Sequence, residues 1–213
     1  MENASKALII AGGVLISLLV ISLLVFGFTN LSDYMSSKQS VDYTEQISEF
    51  NRQFDAYNKD IYGSELLSLA NKVEDYNKKY RTEDGYTKLE IQVTFLTDES
   101  ITPFNFGSKR IEKGKKYKAE DINDIVEDIE DDIKELGELQ YGTYKVKDIA
   151  GKRTNELEKL VGKEKLEECV KNINNYSRYK SALSTLKGYK FNVGEFKYNT
   201  TNGRIELMTF TKN

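Results

Sequence analysis

Histidine and tryptophan are absent from this 213-residue chain, which has one cysteine and one proline. Without histidine the usual general base near neutral pH is missing, which excludes His-containing catalytic triads and His-bearing zinc sites. Glycine-rich phosphate-binding motifs are missing as well. A single cysteine excludes an intramolecular disulfide framework, and the apolar neighbours of Cys169 predict a small core residue. The sequence therefore predicts no catalytic, cofactor-binding or metal-binding residues, and a protein that is not an enzyme.

The charges are nearly balanced, with 31 Lys and Arg against 34 Asp and Glu and a formal net charge of −3. This balance gives no electrostatic reason to expect nucleic acid as a partner. Acidic residues are frequent, so a carboxylate pair of the kind that glycosidases use stays open as an alternative, as does Ser–Lys chemistry. Either would make the protein an anchored hydrolase.

A long apolar run near the N-terminus is the clearest feature of the sequence. Residues 7–32 contain no charge, and their densest part, residues 7–28, would form a helix of roughly 33 Å, enough to cross a hydrocarbon core of about 30 Å. Phe26 and Phe28 end the run where a cleavable signal peptide would need small residues. Residues 1–30 are therefore predicted to be an uncleaved, single-pass transmembrane anchor in the lipid bilayer.

Charges flanking the run predict its orientation. Lys6 and the α-amine precede it, whereas Asp33, Asp42 and Glu45 follow it together with Lys38. Positive charge favours the cytoplasmic side. We expect a protein of the cell membrane with a cytoplasmic N-terminus and an extracytoplasmic C-terminal domain.

Small residues recur in the first half of the run at spacings of about four, which allows close approach of helices in lipid. The alternative is that such residues are simply common in transmembrane helices. The predicted helix-packing residues are Ala7, Ala11, Gly12, Gly13 and Ser17.

Residues 31–62 are predicted to form a helical stalk. Their apolar residues follow a three-four spacing that places them on one face of a helix. Protein partners or self-assembly through the N-terminal helix would use this face. The predicted stalk interface consists of Ile47, Phe50, Phe54 and Tyr57.

Residues 63–213 are predicted to form an α+β soluble domain. A helix over 65–80 with Ser64 as its N-cap precedes a strand over 88–95, in which apolar and polar residues alternate. Residues 119–187 form a largely helical middle, and 189–211 form a β-hairpin with a bulge at Gly194. The expected fold is a transmembrane helix continuing toward an amphipathic helix, then a small antiparallel sheet of about three or four strands packed with helices.

The helical middle is expected to contain several separate pieces. After an acidic helix over 120–138 and a short strand over 141–149, helices are predicted over 154–160, 163–173 and 175–186. Gly162 and the residues 172–175 are expected to separate them.

A basic segment directly precedes the acidic helix. It could contact anionic lipid or a wall polymer, or it could be a lysine-rich loop whose charge the acidic helix partly cancels. The predicted anionic-partner patch is Lys109, Arg110, Lys113, Lys115, Lys116 and Lys118.

Residues 1–15, 49–57, 63–69 and 202–210 resemble segments of a group of uncharacterised membrane-anchored proteins of low-GC Gram-positive bacteria. This resemblance implies an anchor and no particular activity. The layout is also similar to that of type IV pilins, in which an apolar helix runs into an amphipathic half and then a small sheet. It departs from them because no acidic residue lies between Lys6 and Asp33, and the only processing-like sequence is at the far end of the apolar run.

The sequence therefore favours a membrane-anchored, surface-exposed structural or assembly protein with a pilin-like layout. The alternative is an anchored binding module for an anionic envelope polymer or a protein partner, and an anchored hydrolase is a third.

Overall fold

A computed structural model describes residues 2–84, 86–106 and 110–213. The chain divides into two compact units, residues 1–50 and 51–213. The sequence had placed the end of the stalk at residue 62, so residues 51–62 now belong to the second unit. Lys109 of the predicted basic patch lies outside the described residues.

Helix α1 covers Glu2–Asp55 without a break. The other helices are α2 (Gly63–Lys79), α3 (Asp98–Ile101), α4 (Ala119–Glu138), α5 (Val146–Ile149), α6 (Thr154–Val161) and α7 (Lys163–Gly188), with short 3-10 turns at Thr82–Asp84 and Thr102–Phe104. The strands are β1 (Ile61–Tyr62), β2 (Glu90–Phe95), β3 (Lys116–Tyr117), β4 (Gln140–Tyr141), β5 (Tyr144–Lys145), β6 (Lys190–Tyr198) and β7 (Ile205–Lys212).

The α+β class is confirmed, but the expected antiparallel sheet of three or four strands is wrong. Within the described residues the main sheet has five strands in the order β1-β6-β7-β2-β3, and β4 pairs with β5 separately. The sheet is mixed because β2 runs parallel to β7, with Glu90 opposite Leu207 and Phe95 opposite Lys212. Parallel neighbours need a long crossover connection, and the helices between β2 and β7 provide it.

The predicted C-terminal hairpin and its bulge are confirmed. The pairing of β6 with β7 shifts register between Val193 and Phe196. A Cβ on Gly194 would lie 2.4 Å from Thr209 Oγ1, which instead accepts a hydrogen bond of 2.6 Å from the Glu195 N–H. The missing side chain of Gly194 therefore allows the bulge to contact β7.

One face of the sheet is buried. Along β2, Ile91, Val93 and Phe95 are buried while the alternating polar residues are half-buried. The Phe95 and Phe191 rings meet edge to face with centroids 5.7 Å apart. Burying such side chains contributes about 1.5–3 kcal/mol each, which makes this core the main stabilising element of the unit.

Helix α2 starts against the end of α7. The Gly63 N–H donates to the Tyr189 carbonyl at 2.7 Å, and a Cβ on Gly63 would lie 1.7 Å from the Leu186 carbonyl oxygen. The helix begins one residue before Ser64, and the Glu65 carboxylate accepts a hydrogen bond of 2.8 Å from the Tyr62 N–H. Ser64 is therefore not the N-cap, because close packing with α7 decides where the helix begins.

A second, smaller core lies under α6 and α7. It contains Tyr141, Val146, Ile149, Leu157, Cys169 and Ile173. Helix α7 continues through residues 172–175, where we expected a break, and the Asn172 amide donates to the Tyr141 hydroxyl at 2.7 Å. Asparagine costs a helix well under 1 kcal/mol relative to alanine, less than this packing contributes.

Candidate functional site

The apolar part of α1 exposes nearly all its side chains. Between Leu8 and Phe28 the large apolar residues are from 50% exposed, at Val20, to 78% exposed, at Leu8. Two of its polar side chains bond to their own helix: Ser17 Oγ donates to the Gly13 carbonyl at 2.8 Å, and Thr29 Oγ1 to the Phe26 carbonyl at 2.9 Å. Among the described residues, one helix is long and apolar enough to cross a membrane, and it is this one. In lipid, polar groups must be satisfied internally in this way.

The predicted helix-packing residues do not share one face. At about 100° per residue, Ala7 and Ala11 lie on one side of α1, whereas Gly13 and Ser17 lie on another. A Cβ on Gly12 or Gly13 would meet no atom within 4 Å. The backbone is therefore open to close approach at both glycines, on two different faces.

The four residues of the predicted stalk interface differ in how far their side chains are buried. Ile47, Phe50 and Tyr57 are half-buried, whereas Phe54 is only 1% exposed. The Lys72 ammonium lies 4.8 Å from the centroid of the Phe54 ring and also donates to the Gln53 carbonyl at 2.9 Å. Phe54 therefore belongs to the core of the unit 51–213 and has no surface to offer a partner.

Asn51 attaches the last turns of α1 to the C-terminal hairpin. Its amide donates to the Gly203 carbonyl at 2.9 Å, and its oxygen accepts the Ile205 N–H at 2.9 Å. The side chain thus makes two hydrogen bonds to one hairpin, as a neighbouring strand would. Sequence reasoning missed Asn51, since an asparagine between stripe positions carries no periodic signal.

The basic segment, residues 110–118, turns at Gly114, where φ is +75°, and ends in β3. Two of its cations are already paired, because Lys113 lies 3.5 Å from Asp98 and Lys115 lies 3.4 Å from Glu112. The exposed cations without an ion pair among the described residues are Arg110, Lys116 and Lys118. The predicted patch therefore contributes fewer free charges than its sequence suggests.

Helix α4 buries one isoleucine face and exposes most of its acidic residues. At its C-terminal end Glu138 accepts hydrogen bonds from Lys145, at 2.5 Å, and from Lys147. These two ammonium groups lower the pKa of Glu138 from 4.5 to about 2. Among the described residues no cluster of His, Cys, Asp or Glu could hold a metal ion. Glu138 thus connects α4 to the β4–β5 hairpin.

A polar groove of about 490 Å³ lies between α2 and α4 and contains Glu74, Glu127 and Glu130. Lys78, 2.6 Å away, and Asn123 together hold the pKa of Glu74 below its usual value. A carboxylic acid that donates a proton near neutral pH needs a raised pKa. Glu74 is therefore an ion-pair partner of Lys78 and not a proton donor near neutral pH. It gives no support to the alternative that the protein is a hydrolase.

Cys169 is fully buried in the second core, which confirms the prediction from its apolar neighbours. Burial raises the pKa of its thiol. A buried thiol with a raised pKa is a poor nucleophile, so it acts as a small apolar side chain.

No protein-family model, no curated protein and no solved structure matches the chain. The function is therefore argued from the sequence and the geometry of the chain itself.

Proposed function

We propose that the chain is a single-pass membrane protein that presents its α+β unit outside the cell membrane as a structural or assembly subunit. The observation that supports this most is the exposure of every large apolar side chain between Leu8 and Phe28. Each would gain about 1.5–3 kcal/mol on leaving water, so together they outweigh the 5–15 kcal/mol that stabilises a typical domain. Insertion in lipid removes this cost.

Charge supports the orientation in this proposal. Lys6 directly precedes the apolar segment, whereas the first cation after it, Lys38, stands ten residues beyond Phe28. Assembly through α1, with the α+β units outside, would follow the general layout of a type IV pilin. The resemblance to anchored proteins of Gram-positive bacteria agrees with the anchor.

Membrane extraction and cysteine labelling of intact cells test the proposal. The full-length chain should stay in the pellet after alkaline carbonate treatment. An impermeant maleimide should label Thr200→Cys from outside, and Ser5→Cys only after permeabilisation. Unmodified protein gives the baseline because Cys169 is buried. Release by carbonate would overturn the anchor, and the opposite labelling pattern would overturn the orientation.

A second candidate function, binding of an anionic envelope polymer, is favoured by the exposed cations Arg110, Lys116 and Lys118, which have no ion pair within the part of the chain that the structure describes. Binding of a glycerol-phosphate polymer should weaken with salt and with the triple change of these residues to Gln. A triple Gln variant at Lys59, Lys79 and Lys152 is the control, since it removes the same charge elsewhere. Equal binding by both variants would refute a role for this segment.

A further inference from the structure

Strand β6 has a free edge along its second half. In the sheet β6 lies between β1 and β7, and β1 pairs with Lys190 and Phe191 at the start of the strand. The Asp60 carboxylate then accepts a hydrogen bond of 3.1 Å from the Val193 N–H. Within the part of the chain that the structure describes, no strand pairs with residues 194–198 on the side away from β7. We call residues 194–198 the open edge.

The backbone of the open edge directs hydrogen-bonding groups outward. The Glu195 N–H donates to Thr209 Oγ1 of β7 at 2.6 Å, and the same hydroxyl donates to the Glu195 carbonyl at 3.3 Å. Because backbone groups alternate sides along a strand, those of Phe196 and Tyr198 point away from β7. All residues of the open edge are exposed except Phe196, which is half-buried. This edge is therefore accessible to another strand.

The charges of the open edge are symmetric about Phe196. Glu195 precedes it and Lys197 follows it. If a second copy runs antiparallel and both copies are centred on Phe196, each Glu195 lies opposite the partner's Lys197. Opposite charges directly across two strands are favourable, whereas a lysine on an edge normally repels a second strand. Here each lysine meets a carboxylate that has no ion pair among the described residues, while it keeps its own contact of 2.8 Å with Glu206.

The limits of the open edge select this register. The Asp60 side chain occupies the edge at Val193, and the turn of the hairpin begins at Asn199, so that Phe196 is the middle of the residues left between them. Pairing centred on Phe196 uses the whole open edge, and the N–H of each Phe196 then faces the carbonyl of the other. Pairing centred one residue later would place Lys197 opposite itself, which is unfavourable.

The aromatic rings of the open edge fit the same register. Tyr198 is 43% exposed and comes next to the partner's Gly194, which has no side chain of its own. An aromatic ring beside an edge glycine compensates for the missing side chain. The Phe196 ring already packs edge to face on Phe210, with centroids 6.2 Å apart, so its position is set before a partner binds.

We propose that the open edge pairs antiparallel with the open edge of a second copy of this chain, so that two sheets of five strands become one of ten. A second copy supplies the same charges in reverse order, as a two-fold symmetric interface requires. The inference rests on the proposed function, because so short a pairing is a small interface that would be weak between dilute soluble chains. Anchoring in one membrane confines the copies and raises their effective concentration.

Disulfide crosslinking of two differently tagged full-length copies in membranes tests the register. Co-expressed Glu195→Cys and Lys197→Cys copies should form an oxidised heterodimer, because directly opposed Cα atoms lie about 4.5 Å apart, within reach of a disulfide. The mixed pair also keeps one of its two charge pairs. Either variant paired with itself places its cysteines on a diagonal, roughly 7–8 Å apart, and should give several-fold less dimer.

The unaltered chain supplies the background of this experiment, since Cys169 is buried. Both new cysteines replace exposed side chains, so the fold of the unit should be unaffected. Equal yields from the mixed pair and from either variant with itself would overturn the register. Adducts with a different protein in place of dimers would overturn the choice of a second copy.

A charge exchange tests the pairing without cysteines. The readout is energy transfer in membranes between fluorescent proteins fused to the N-termini of the two copies. Glu195→Lys in both copies should lower the transfer several-fold, whereas Glu167→Lys, an exposed control in α7, should leave it unchanged. Combining a Glu195→Lys copy with a Lys197→Glu copy should raise it again, because opposite charges then face each other at both positions. No recovery in the mixed pair would refute the proposed charge pairing.

Carbonate extraction of the same membranes separates two failures. A chain that is extracted refutes the anchor, and with it the pairing of two anchored copies. A chain that stays inserted but gives no excess of the mixed-pair dimer refutes only the pairing of the open edges.

Discussion

Replacing Gly63 with alanine should strongly destabilise the unit 51–213. The new Cβ would lie 1.7 Å from the Leu186 carbonyl oxygen and 2.7 Å from its carbonyl carbon. Carbon–oxygen contacts are normally about 3.3 Å or longer, so α2 and α7 would have to separate by roughly 1.5 Å. Both contacted atoms belong to the backbone of α7, and no side-chain rotation relieves the overlap.

Two effects determine how much Gly63→Ala lowers the free energy of unfolding: a broken hydrogen bond and overpacking. Separation would break the 2.7 Å hydrogen bond from the Gly63 N–H to the Tyr189 carbonyl. An unsatisfied buried group costs about 1–3 kcal/mol, and overpacking typically adds about 1–3 kcal/mol. We expect a loss of about 4 kcal/mol, which for a unit of this size lowers Tm by roughly 8–16 °C.

Thermal unfolding of the full-length chain in detergent measures the effect. The signal should be the near-UV circular dichroism of tyrosine, because the chain lacks tryptophan. Gly188→Ala is the matched control: it also lies in a helix, and a Cβ there meets no atom within 4 Å. The control should be stabilised by up to about 1 kcal/mol, since alanine is the better helix former. Equal stability of the two variants would refute the close contact of α2 with α7.

Three further changes test other parts of the unit. Phe54→Ala should lower the free energy of unfolding in urea by about 3–5 kcal/mol, because the ring is buried. Phe28→Ala is the control and should leave the stability of the unit unchanged. A similar loss for both variants would contradict the placement of Phe54 in the core. Asn51→Ala should lower the free energy of unfolding by about 1–3 kcal/mol and speed amide hydrogen exchange in the turn 199–204. The control variant Asn58→Ala should have neither effect. Unaltered exchange in the Asn51 variant would disprove the contact of Asn51 with the hairpin. Glu138 has a folded pKa of about 2 against 4.5 in the unfolded chain, so its contribution is present above pH 4.5 and is lost as pH falls toward 2. Glu138→Gln should therefore be less stable than the unaltered chain at pH 7 and equally stable near pH 2, and a stability difference independent of pH would exclude this cause.

A helix or strand could be predicted from the sequence where one of its faces is buried along its length, because its apolar residues then follow a regular spacing. The alternation in β2 and the glycine at the β6 bulge identified their elements from neighbouring residues alone. The candidate site was harder to predict. Phe54 fits the stripe of the stalk, yet its position in the sequence does not reveal that the unit 51–213 buries it.

By itself the sequence determined the apolar segment 7–28 and the α+β class, because the spacing of apolar residues depends on which side chains of a local element leave water. Only the tertiary structure decided the parallel pairing of β2 with β7, the unbroken α7 and the Asn51 contact. These depend on residues far apart in the chain, such as Glu90 and Leu207 or Asn51 and Ile205. Their contact energies exceed the small local preferences that a sequence pattern expresses.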